Sequence, residues 1–80
     1  MTLLFFVALP FERDADGEVV PGEAREAQSQ IAAMRLASAL AAIKVGALAF
    51  FRTGDPSTGE FEDAIILARY GEVAEEAIRP

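Results

Sequence analysis

Residues 2–11 read TLLFFVALPF. In an extended chain Leu3, Phe5, Val7 and Leu9 fall on one side, and Leu4, Phe6 and Ala8 on the other. The run is rich in bulky and aromatic residues and has no helical stripe, so it predicts a β-strand. Both sides are apolar, and a strand that is apolar on both sides must be covered on both faces of its sheet. Pro10 is expected at the strand end, where a missing amide is tolerated.

Outward from this strand, residues 13–22 carry Asp14, Asp16, Gly17, Pro21 and Gly22 and predict a turn. Residues 23–28 fit either a short second strand or an early start to the next helix. A strand is preferred, because Ser29 is a good N-cap directly before the apolar run 31–43. That run is dominated by alanine, leucine and methionine and predicts a helix. Ala33, Leu36, Ala37, Leu40 and Ile43 form one stripe, widened by Ile31, Met34 and Ala41. Gly46 is expected to end the helix, with Lys44 in its last turn. Residues 45–53 (VGALAFFRT) and 61–70 predict two further strands, joined as a hairpin by GDPSTG at 54–59. The tail 71–80, with Glu72, Glu75 and Glu76, predicts a short exposed helical turn.

The expected fold is one α+β domain over residues 1–80. A small antiparallel sheet carries one helix on one face, in the order ββαββ or βαββ. One helix covers only one face, so the second face is predicted to be buried in a homodimer of packed sheets.

Composition narrows the chemistry. The chain has 80 residues, no cysteine, no histidine and no tryptophan, and Lys44 is its single lysine. Disulfides, thiolate metal sites, thiol nucleophiles and a Ser-His-Asp triad are therefore excluded within one chain. No Gly-Lys-Ser/Thr phosphate loop is present. A net charge of −6 argues against nucleic acid as a partner. The 52% hydrophobic content argues against disorder. Residues 2–9 lack the basic flank of a signal peptide, and residues 31–51 hold Arg35 and Lys44, which disfavour a membrane span. A soluble cytoplasmic protein without a cofactor is expected.

One local pattern has the spacing of a metal loop. From Glu12 to Glu23, acids Glu12, Asp14, Asp16, Glu18 and Glu23 occupy the first, third, fifth, seventh and twelfth places around Gly17. This run resembles an EF-hand calcium loop, and the resemblance implies oxygen ligation of calcium by those five side chains. It departs from the motif in having Glu12 where aspartate is required. It is also flanked by a strand reading and by Pro21-Gly22 instead of helices.

Other candidates are weighed on their spacing. Asp55, Glu60, Glu62 and Asp63 cluster at the hairpin turn, but Glu62 and Asp63 are neighbours and would point to opposite faces of a strand. Asp55 is expected to brace the turn ahead of Pro56. Arg13, Arg52 and Arg69 would suit a carboxylate or phosphate ligand if the sheet brings them together, with Tyr70 nearby. The alternative is that each offsets a neighbouring acid. Phe5, Phe6, Phe50, Phe51 and Phe61 fill a core or line a pocket.

These features predict a small acidic homodimeric module that binds protein and catalyses no reaction. The alternatives are a small-molecule-binding or enzyme-type dimer with an apolar cavity, and a calcium-binding protein using the 12–23 loop.

Overall fold

The computed structural model describes residues 1–78. The first strand, β1, runs Leu3–Arg13 and is followed by two short strands, β2 (Val19–Pro21) and β3 (Arg25–Ala27). Helix α1 spans Gln30–Ile43. Then come β4 (Gly46–Asp55), β5 (Glu60–Phe61), β6 (Ile65–Gly71) and a 3₁₀ turn at Glu75–Ile78. The architecture is mixed α+β, as expected, with one helix on an antiparallel sheet.

β1 and β4 lie side by side at the centre, with Val7 opposite Phe50 and Leu9 opposite Leu48. β2 and β3 both pair with the outer side of β1, and β5 and β6 both pair with the outer side of β4. The preference for a strand within 23–28 holds.

Pro10 is placed differently from the expectation. It lies inside β1, buried, opposite Ala47. Its carbonyl accepts from the Gly22 amide at 2.8 Å, so its nitrogen faces the same outer side. That side is where β2 has ended and β3 has not begun. The missing donor thus coincides with the break in the neighbouring edge.

The N-terminus of α1 follows from local chemistry. Ser29 is extended, its hydroxyl accepts from the Ala32 amide at 3.1 Å and its carbonyl from Ala33 at 2.9 Å. Ser29→Ala is expected to cost about 1 kcal/mol. Urea unfolding would measure it, and an unchanged midpoint would contradict the cap.

The helix buries Ala33, Ala37 and Leu40 against Ala8, Ala47 and Ala49. Alanine on alanine lets helix and sheet approach closely. Ile31 and Ile43, read as part of the stripe, are instead exposed. At 100° per residue Ile43 lies about 80° round from Ala33, off the buried line. Nor does Gly46 stop the helix. Lys44 is the extended C-cap, beyond the last turn, and Gly46 opens β4.

The predicted fourth strand, 61–70, is two strands separated by residues 62–64. A bulge at the Ala49/Phe50 step of the β4–β6 ladder shifts its register.

Part of the second face is covered from within the chain. Leu9, Phe11, Leu48 and Phe50 form its buried core, and Val73, Ala74 and Ile78 of the tail pack onto them. The tail reaches that face through a close crossing. Gly71, at φ 69, stands opposite Gly46, and the Glu72 amide donates to the Val45 carbonyl at 2.9 Å. So the tail does form a short helical turn, but one side of it is packed instead of exposed.

Candidate interaction surface

The sheet outruns both of its covers. Eleven residues of β1 extend about 37 Å, whereas fourteen residues of α1 reach about 21 Å. The helix sits over Ala8, Ala47 and Ala49, and the tail over Leu9, Phe11 and Leu48. Beyond them, at the start of β1, in β5 and at the start of β6, large apolar side chains are left exposed. Leu3 is 41% exposed, Leu4 49%, Phe61 48% and Ile65 56%.

The side away from the helix carries a shallow groove. Phe5, Val7 and Phe50 form its floor, Phe61 and Pro56 one wall, and Ala24, Arg25 and Glu26 the other. Phe61 lies over Gly54, where a Cβ would collide with its ring, and stacks at 6.0 Å and 44° on Phe5. Glycine at 54 is what lets this aromatic pair lie across the sheet. On the helix side Phe6 and Phe51 make a similar tilted pair at 6.2 Å.

Arg13, Arg52 and Arg69 do share this face. In the ladders Arg52 is opposite Phe5, Arg69 is opposite Leu48, and Arg13 lies two residues beyond Phe11. Their partners separate them. Arg13 pairs with Glu72 and also donates to the Gly17 carbonyl at 2.9 Å. Arg69 pairs with Glu75. Both pairs strap down the tail, and as exposed pairs each contributes about 0.2–1 kcal/mol. Among the described residues Arg52 has no carboxylate partner, and its Nε is shut off from solvent without an acceptor. Tyr70 is on the opposite face, half-buried against the helix-side core.

The 12–23 loop closes on itself. Asp14 Oδ1 accepts from the amides of Asp16 and Glu18, both at 2.9 Å, and Gly17 turns the chain at φ 82. Glu12 is held by Lys44 at 2.7 Å. Asp16, Glu18 and Glu23 are exposed. Among the described residues no three acidic side chains gather where a metal ion could sit.

Asp55 braces its turn as the sequence suggests. Its Oδ1 accepts from the Ser57 amide at 2.9 Å and the Ser57 hydroxyl at 2.6 Å, and its Oδ2 meets the Met1 ammonium at 3.1 Å. The Ser57 hydroxyl, then the ammonium, then the Ser57 amide hold its carboxyl below the ordinary value of 3.8. A depressed acid stabilises the fold above its unfolded pKa, and that contribution is lost as pH falls through the lower folded value. Ser57→Ala is expected to move the Asp55 titration upward. Carbon-detected NMR would follow it, and an unmoved titration would refute the assignment. Glu62 and Asp63 lie in the 62–64 connection instead of on a strand, so the opposite-face argument does not apply to them. Both border the cleft beside Arg52.

Sequence reasoning placed the phenylalanines on strands but missed the groove and the solitary state of Arg52. The first depends on how far α1 and the tail reach along β1, and the second on which acids the tail brings to Arg13 and Arg69. Alternation did carry one usable signal, since Phe5, Val7, Phe50 and Arg52 share a face once β1 and β4 are in register. Among the described residues no helix is long and apolar enough to cross a membrane. No protein family matches the chain, and no curated protein and no solved structure is similar to it.

Proposed function

We propose that this chain is a small acidic protein-interaction module, without catalytic activity, that works as a homodimer joined through the open half of the second sheet face. One observation supports this above all. Leu3, Phe5, Val7 and Phe61 lie on that face, with Leu3 and Phe61 more than 40% exposed and Phe5 and Val7 half-buried. Contiguous aromatic and aliphatic surface of this kind is uncommon on proteins that work alone. A domain this short also has little core of its own, and pairing is a general remedy. A standard footprint of about 800 Å² per partner is roughly a sixth of the 5092 Å² surface. The rest of the surface of this chain, whose net charge is −6, is left for a further protein partner.

Sedimentation equilibrium tests the reading. The wild-type chain is expected to be dimeric at micromolar concentration. Phe61→Ser is expected to weaken the dimer about 30-fold or more, as for an aromatic anchor, with an unchanged circular dichroism spectrum. A wild-type chain that stays monomeric to about 1 mM would overturn it.

A further inference from the structure

We infer that the outer edge of β6 takes a protein partner as an added β-strand, apolar at its centre and basic at its ends. This rests on the protein-binding part of the reading above and is independent of the dimer. β6 is seven residues long and pairs with β4 along one side only. The register says which of its backbone groups face out. The Pro10 carbonyl faces away from β4, so Ala47, opposite Pro10, turns its amide and carbonyl to β6. Tyr70 and Ala68, opposite Ala47 and Ala49, turn theirs back to β4, and Arg69 between them turns its own outward. Ile66, opposite Phe50, does the same on the other side of the bulge. Among the described residues nothing pairs with these outward groups, and none of the β6 residues is buried.

The usual guards of an edge are proline, free charge or a cover. Residues 65–71 contain no proline and no acid, and their one cation, Arg69, is held by Glu75. The bulge leaves Leu67 without an opposite residue on β4, so an added strand has to bend with β6 there. A row of alternating amides and carbonyls is met in full only by another backbone. Apolar side chains flank the row on both faces. Ile66 packs with the tail-side cluster, Leu67, Ala68 and Tyr70 pack with the helix-side cluster, and Ile65 is 56% exposed. A strand apolar on both sides would extend both layers. Charge selects a different chain over a second copy. Glu62 and Asp63 lead into β6, and Glu76 follows the Glu75 that holds Arg69. All three are exposed, and the ion pairs among the described residues include none of them. Two β6 edges paired about a two-fold would set Glu62 and Asp63 toward the end of the mate that carries Glu72, acid against acid. A strand with Lys or Arg at its ends meets the same acids favourably.

A library of short random peptides, selected on the wild-type chain, tests the edge. The enriched peptides are expected to carry β-branched or aromatic residues at the centre, Lys or Arg at the ends, and no central proline. The tightest of them, made synthetically, is the probe. Arg69→Pro removes an outward amide and no bond to β4, and should weaken the probe about tenfold or more. Arg69→Ala loses only the Glu75 pair and should stay within about threefold of wild type. Circular dichroism confirms folding. Should Arg69→Pro not fold, N-methylation of the probe gives the same readout. Methyl groups on one alternate set of its amides should abolish binding, and on the other set should not. If no peptide is enriched, the edge is refuted. A probe that binds Arg69→Pro like wild type, or is indifferent to which amides are methylated, refutes the edge while protein binding stands. A wild-type dimer that Arg69→Pro dissociates and Phe61→Ser does not would give the edge to a second copy and refute it as well.

Discussion

Phe11→Ala is expected to remove about 3–5 kcal/mol of stability, the usual cost of emptying a buried phenylalanine site. Phe11 is fully buried and is one of the two largest side chains that are, the other being Leu48. It stands near the end of the central strand β1, in the cluster onto which Val73, Ala74 and Ile78 pack. The helix side cannot compensate. Its fully buried set is alanine apart from Leu40, and its larger members, Phe6, Met34, Leu36 and Leu67, are only partly buried, so no single side chain there removes as much apolar area from water as Phe11. A domain of this length has only about 4–12 kcal/mol in total. Thermal unfolding should therefore fall by about 15–30 °C. A loss below 1 kcal/mol would mean that the tail-side cluster is not the main source of stability.

Gly46→Ala should have the next largest effect, and a different character. A Cβ on Gly46 would fall 2.6 Å from the Glu72 nitrogen and closer still to its carbonyl oxygen. Those are backbone atoms and cannot rotate away. The methyl group must push the tail off the sheet or separate β4 from β6. The expected cost is about 3 kcal/mol, at the upper end of overpacking. It should also act locally, with faster hydrogen exchange over residues 72–78 than over α1. Exchange that rises equally everywhere would show that the crossing is not a separate weak point.

The two-sided apolarity of residues 2–11 identifies the central strand, because no other arrangement hides both sets. Ser29 before an alanine-leucine run marks the helix start, since capping is a contact between residues three apart. What the residues do not disclose is set by distant partners. The tail has only Val73, Ala74, Ala77 and Ile78 to mark it as a cover, a run of barely one and a half turns and too short to reveal a packed face. Gly46 follows a helix and so resembles a stop signal, while its actual neighbour, Glu72, is 26 residues on. Pro10 is compatible with an inner strand only because the adjacent edge breaks beside it. The arginines were recognisable as a set, but which one lacks an acid depends on where the tail carboxylates land.

The broken edges bear on how the chain fails as well as how it folds. The stretch LLFFVAL has the composition of segments that stack into cross-β fibrils: strongly β-prone, uncharged and free of proline. In the folded chain all of it pairs with β4, and β3 guards the outer side of Phe6, Val7 and Ala8. The outer border beside β1 is divided into two three-residue pieces, so it offers no long template for a neighbouring chain. Heat removes that protection all at once. Once β1 is released, association of unfolded chains competes with refolding, and thermal denaturation becomes irreversible and dependent on the rate of heating.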